Sequence, residues 1–401
     1  MENKLPEGWE WKKLGDIGEI CSGGTPSTRD ETNFDGDIPW ITPADLSNFE
    51  GIYIEKGKRN ISEKGLSGSS AKVLPKNSVI FSSRAPIGYV AIASNPLTTN
   101  QGFKNIILKE QILPEYVYYY LKKSKRLAES YASGTTFLEV SATRFSQIPI
   151  IIPPLETQKK IVSILEKAEE TKKLRAKADE LTQKLLQSVF LEMFGDPVIN
   201  PMGWDKKKIG NISTHVSSGS TPKGGKEVYQ KEGTLFIRSQ NVHMNRLVYE
   251  DIAYISREIH NSMRRTWVQK GDVLLNITGA SIGRVAWYSG NNNEANVNQH
   301  VCIIRPKQSI VKPEFLSYQI SMESYQNKTL SQQSGATRQA FNYSQIKDFD
   351  SIVPSVDLQQ NFVSIIGKIE EIKKSQQQSS LEINNLFDAL MQKAFTGELV
   401  A

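Results

Sequence analysis

Several loops carry side chains suited to reading bases or gripping phosphates. Arginine and lysine match guanine and phosphate, while asparagine and glutamine match adenine. In the first half of the chain these are Ser82, Ser83, Arg84, Asn100, Gln101 and Arg144. In the second half they are Arg238, Gln240, Asn241, Arg264, Arg265, Arg284, Asn298, Gln299, Arg338 and Gln339. Taken singly, each also suits a solvated or turn-stabilising role. Their weight comes from recurring in matching loops.

Two common catalytic signatures are missing: no phosphate-binding GxxxxGK[ST] and no zinc-binding HExxH occurs. Gly57-Lys58 and Gly225-Lys226 lack the remaining loop residues. Pro153-Pro154 sits between Ile152 and Leu155, so it is not the Pro-Pro-aromatic motif of an adenine methyltransferase. A nuclease using Asp37, Asp45 and Glu55 is a weak rival, since scattered carboxylates are ordinarily surface residues. Cys21 and Cys302 form no CxxC pair, which speaks against a disulfide or zinc scaffold and for packing roles.

The 401 residues allow one to three domains with a sizeable core. Lys and Arg total 49 and Asp and Glu 43, a net charge of +6, which permits a polyanionic partner without demanding one. Residues 1–200 hold 26 basic and 25 acidic side chains, and 201–401 hold 23 and 18, so the bias sits in the second half. No apolar run suits a membrane span, and the first residues lack a secretory apolar core.

The elements that position the loops come in two copies. Gly8-Trp9-Glu10 matches Gly203-Trp204-Asp205, and Ser22-Gly23-Gly24-Thr25-Pro26 matches Ser218-Gly219-Ser220-Thr221-Pro222. Asn100-Gln101 matches Asn298-Gln299, and Ser133-Gly134 matches Ser334-Gly335. The order is collinear and the offset drifts only from 194 to 201. Each copy opens with about 150 residues of short strand-like runs between Gly, Ser, Asn and Pro turns, such as 78–81 and 272–275. A helix is expected after Pro114 and after Pro313, with the tyrosines at 116 and 118–120 in its core face.

Each copy closes on a long amphipathic stretch. Residues 155–194 hold no Gly or Pro before Gly195-Asp196-Pro197, and about 40 residues would make a rod of roughly 60 Å. The expected packing stripe is Ile161, Leu165, Leu181 and Leu185 on the first helix, and Phe362, Ile365, Ile369, Leu386 and Leu390 on the second. Residues 375–380 (Ser-Gln-Gln-Gln-Ser-Ser) read as a polar interruption. Neither stripe can be buried alone, so an antiparallel coiled coil is expected.

On four features the chain resembles the specificity (S) subunit of a type I restriction–modification system. These are the two Gly-Trp openings, the Pro-Pro-Leu-Glu-Thr-Gln helix start at 153–158 with its degenerate counterpart at 354–359, the helix exit at 193–197 echoed at 394–399, and the overall architecture. The resemblance implies an α+β chain with two strand-rich target recognition domains, residues 1–154 and 197–354. Two long antiparallel helices, 155–196 and 355–401, would act as spacers. It implies a non-catalytic subunit on double-stranded DNA, each domain reading half of a bipartite asymmetric target. It further implies two adenine methyltransferase subunits that bind S-adenosylmethionine, and two motor-nuclease subunits that use ATP and Mg, all in the cytoplasm with no membrane. The rival readings are a specificity module of a related type II system and a coiled-coil scaffold that does not bind DNA.

Overall fold

A computed structural model describes residues 5–84, 86–134, 138–290, 294–331 and 340–400. The chain forms two compact units: residues 1–175 with 378–401 (unit 1), and residues 176–377 (unit 2).

In unit 1, a five-stranded sheet has the order Gly18–Ser22, Phe103–Leu108, Val79–Ser82, Val90–Ala93, Tyr53–Ile54. A three-stranded sheet sets Phe34–Ile41 between Arg59–Ile61 and Thr98–Thr99. Unit 2 repeats the plan. Its first sheet runs Ser213–Ser218, Val301–Pro306, Val273–Asn276, Val285–Trp287. Its second places Thr234–Ile237 between Ala253–Ile255 and Ala295–Val297, with Trp267–Val268 at the edge. The central strands are apolar runs buried on both faces, as Val79–Ser82 and Val273–Asn276 show.

The helices expected after Pro114 and Pro313 are present as Pro114–Lys123 and Pro313–Ser321, each with proline in the first turn. Tyr116 and Tyr119 are fully buried in the core of unit 1. Cys21 and Cys302 are buried free thiols, and burial pushes Cys302 up to about 12, leaving it inert at neutral pH.

The long helices are Leu155–Phe194 and Val356–Ala394. In unit 2, Gln376 donates to Thr182 at 2.9 Å, while Phe362 meets Phe190 edge-on with ring centroids 5.5 Å apart. Rising numbers on one helix meet falling numbers on the other, so the two run antiparallel. In unit 1, Lys172 lies over the Phe387 ring, and Ile161, Val162 and Leu165 share a core with Phe387, Met391 and Phe395. Residues 375–380 continue the helix rather than interrupt it, in keeping with the good helix propensity of glutamine.

The packing stripe needs correction. Ile161, Leu165, Phe362 and Ile369 are buried, and Ile365 and Leu390 are half-buried against the cores. Leu181, Leu185 and Leu386, however, are 56%, 44% and 57% exposed. Leu186 and Phe387, each one residue further on, are buried in place of Leu185 and Leu386, and Phe190 and Phe194 continue the buried stripe of the first helix. One residue is about 100° around a helix, enough to turn a stripe from core to surface.

Both helices start on the same device. Gln158 is buried; its Oε1 accepts from the Leu113 N–H at 2.9 Å, and its Nε2 donates to the carbonyls of Gln111 and Pro153. Gln359 does the same with the Lys312 N–H at 2.8 Å and the carbonyls of Ile310 and Pro354. The exits also match. Gly195 (φ +72°) and Gly397 (φ +84°) turn left-handed, packed against Pro201 and Pro6 respectively. Trp204 Nε1 caps the first helix by donating to the Phe194 carbonyl.

Candidate nucleic-acid interface

Where the two sheets of unit 1 meet, their strands end on an open cleft of about 540 Å³. Thr42, Pro43, Ala44, Arg84, Asn100, Gly102 and Glu139 line it. Arg84 follows strand Val79–Ser82 and bridges to Glu139, its Nη1 3.9 Å from the carboxylate. Glu139 also receives Lys104 Nζ at 3.1 Å, a lysine whose side chain is only 7% exposed. One carboxylate therefore serves two cations, and Arg84 is the one that reaches solvent. Asn100 opens the turn into strand Phe103–Leu108, and its Oδ1 accepts from the Gly102 N–H at 2.9 Å. Gln101 is exposed at the tip of that turn.

The Gly-Gly and Ser-Gly-Ser loops support these turns. Gly23 N–H donates to the Phe103 carbonyl and Gly219 N–H to that of Val301. A Cβ at Gly23 would fall 1.9 Å from the Asn100 carbonyl oxygen, and one at Gly219 would fall 2.3 Å from that of Asn298. Close backbone approach requires glycine at both positions.

Hydrogen bonds align the units residue by residue. Asn100 N–H donates to Ile41 and Asn298 N–H to Ile237. Ser83 N–H donates to Gly102 and Ile277 N–H to His300, while Val140 and Phe341 donate to Ser83 and Ile277. Hence Thr42 corresponds to Arg238, Arg84 to Thr278, Asn100 to Asn298, Gly102 to His300 and Glu139 to Ala340. Arg284 is the counterpart of Tyr89, because the Asn276 N–H donates to Arg284 as the Ser82 N–H does to Tyr89.

The corresponding place in unit 2 therefore has different furniture. Arg238 leaves the end of strand Thr234–Ile237, with its backbone N–H held by Asn241 Oδ1 at 3.0 Å. Its Nη2 donates to the Asp251 carbonyl, its guanidinium lies 5.7 Å from the Tyr229 ring centroid, and its buried Nε has no partner among the described residues. Thr278 Oγ1 and His300 Nδ1 are 2.6 Å apart.

Several expected contacts are structural instead. Ser82 and Ser83 are wholly buried, bonded to Pro86, Tyr89 and Gly102, because they continue a central strand. Asn241 is a buried cap bonded to Arg238 and Val248, and Asn298 is a buried turn residue that accepts from the His300 N–H. Gln240 and Gln299 are exposed, and Arg284 is half-buried. Arg144 is exposed, reaching the Tyr131 and Ala132 carbonyls from helix Ala142–Ser146. Arg264 and Arg265 stand exposed before the edge strand Trp267–Val268. Arg338 and Gln339 lie outside the described residues. Of the carboxylates considered for a nuclease, Asp45 is tied to Thr42 and the Lys58 N–H, while Asp37 and Glu55 are exposed.

Sequence reasoning missed Glu139 and Thr42 as cleft residues, and Lys104 as the buried partner of Glu139. The signal for Glu139 was present, since the Ser133-Gly134 match places it opposite Ala340. No group of three or more His, Cys, Asp or Glu residues suits a metal among the described residues, and no described helix is long and apolar enough to cross a membrane.

Each of the two repeat-related units gathers polar loops at its strand ends, an arrangement that suits a binding protein. The chain belongs to the family of the type I restriction modification DNA specificity domain, whose model matches residues 6–183 and again 201–385. It is 31% identical to the type I restriction enzyme MjaIX specificity subunit of Methanocaldococcus jannaschii, over 99% of this chain and 94% of that one. It is 35% identical to the HindI specificity subunit of Haemophilus influenzae, over 45% of this chain and 42% of that one. A solved chain from a type I R-M system has the same fold, with a TM-score of 0.69 and 20% identity over 99% of this chain and 100% of that one. The S subunit from M. genitalium has a TM-score of 0.53 and 14% identity over 98% and 97%.

Proposed function

We propose that this chain is the DNA-specificity subunit of a type I restriction–modification complex. Residues 1–154 and 197–354 would each read one half of a bipartite, asymmetric duplex target. Residues 155–196 and 355–401 would set the spacing and dock the partners. Two methyltransferase subunits carrying S-adenosylmethionine would act on an adenine in each half, and two motor-nuclease subunits using ATP and Mg would join them in the cytoplasm. The observation that carries this reading is the matched pair of places at the strand ends. Each presents an arginine and an exposed turn glutamine, and the surrounding side chains differ. Two copies of one scaffold with different side chains at equivalent positions suit a target with two unlike halves. Arg84, Gln101, Arg144, Arg238, Gln240, Arg264, Arg265, Arg284 and Gln299 are the described candidate residues for base or phosphate contact.

The test is a map of methylated adenines in the host genome with and without this reading frame. A split motif, methylated on both strands and lost on deletion, is the expected result. An unchanged map in a strain that expresses the chain with its methyltransferase overturns the reading.

A further inference from the structure

Resting on that reading, we propose that Arg84 and Arg238 are the guanine-reading side chains of the two units, and that they approach their base pairs from different strand ends of the equivalent loop clusters. Each half-site would then contain a guanine fixed by one arginine. The argument starts from the substitution pattern. Where unit 1 has Arg84 and Glu139, unit 2 has Thr278 and Ala340 at the same bridge. Where unit 2 has Arg238, unit 1 has Thr42 at the same strand end, and both backbone N–H groups there are held by the side chain three residues on. The arginine thus stands at a different strand end in each unit, on the same backbone framework.

The chemistry favours a base edge over a phosphate. Guanine O6 and N7 match the two-pronged donor face of arginine. The Glu139 carboxylate, 3.9 Å from Arg84, orients the guanidinium, as a two-pronged contact to one base edge requires. Among the described residues no hydrogen bond is made by the Arg84 guanidinium, and of the Arg238 guanidinium nitrogens only Nη2 makes one, to the Asp251 carbonyl. Both therefore retain donors for a ligand. Lys104 beneath Glu139 stiffens the anchor without reaching out.

The experiment uses the full chain assembled with its methyltransferase, reading methylation rates on duplexes varied one base pair at a time. Arg84→Thr with Glu139→Ala gives unit 1 what unit 2 carries, and Arg238→Thr does the reverse. The expected result is loss of a roughly ten- to hundredfold preference for guanine at one position. That position lies in one half-site for the first variant and in the other half-site for the second. Arg84→Gln, which removes the charge and the two-pronged donor face, loses the same preference. Two results overturn the proposal: discrimination unchanged in Arg84→Thr with Glu139→Ala, or uniform weakening across all sequences with a shallower salt dependence, the mark of a phosphate contact. Failure of the wild-type complex to methylate any split motif would instead reject the functional reading beneath it.

Discussion

The side-chain oxygen of Gln158 accepts a 2.9 Å hydrogen bond from the backbone N–H of Leu113, fastening the start of a long helix to the loop before helix Pro114–Lys123. Gln359 and Lys312 repeat the bond in unit 2. Gln158→Ala takes their side-chain partner from the part-buried Leu113 N–H and from the carbonyls of Gln111 and the buried Pro153. The expected cost is about 1–3 kcal/mol, read as a lower denaturation midpoint and faster hydrogen exchange at Leu113. Gln158→Glu should cost at least as much, because it points a second oxygen at the Gln111 and Pro153 carbonyls.

The glycine at 23 sets the turn that carries Asn100 and Gln101. Gly23→Ala drives a methyl into the Asn100 carbonyl. The expected loss is about 1–3 kcal/mol of stability, with weakened discrimination confined to one half-site of the target. Calorimetry and methylation of half-site-mutated duplexes check the two parts separately.

Asp272 is fully buried and receives Arg305 through Nε and Nη2, both at 2.8 Å. Arg305→Met should destabilise unit 2 by about 3–5 kcal/mol, because it strands a buried carboxylate. Adding Asp272→Asn should restore much of that loss. A double-mutant cycle by chemical denaturation gives the coupling.

Asp350 is held below the usual carboxylate range by hydrogen bonding to Lys208, against a smaller opposing effect of burial. Its native pKa lies below its unfolded value near 4, so it adds stability above that pH and loses it as the pH falls. Unfolding midpoints should therefore drop on acidification from about pH 5 to pH 3. Asp350→Asn should flatten that slope while leaving the Gln345–Asn342 cap intact.

The exposed Leu181 and Leu185 are offered as part of a partner-docking face. Replacing both with serine should change stability by less than about 0.5 kcal/mol per site, while lowering affinity for the methyltransferase in a titration. Equal loss of folding would reject the docking role.

Much of this molecule was legible in its residues. The duplication, the helix starts at Pro154 and Pro354, and the central strands all follow from local pattern, because turns and caps are short-range devices. The helix stripe was half legible. Leu181 and Leu185 keep helical spacing, but the core is closed by Phe190 and Phe194, and which of two adjacent apolar stripes faces inward depends on what lies opposite. The cleft was least legible. Arg84 and Arg284 are both loop arginines, yet they are not counterparts: the hydrogen bonds set Arg84 opposite Thr278 and Arg284 opposite Tyr89. Ser82 and Ser83 looked like loop residues because a buried strand end and a polar turn share the same composition.

Unit 1 closes its core with Phe387, Met391 and Phe395, whereas unit 2 needs only the continuous stretch 176–377. On the ribosome this reverses the usual order in which the earlier part of a chain folds first. Unit 2 can complete itself as soon as its own residues have emerged. Unit 1, begun earlier, must wait with an apolar face open until residues 378–401 arrive. A frameshift or a proteolytic cut near residue 378 would thus silence the domain made first and spare the one made second.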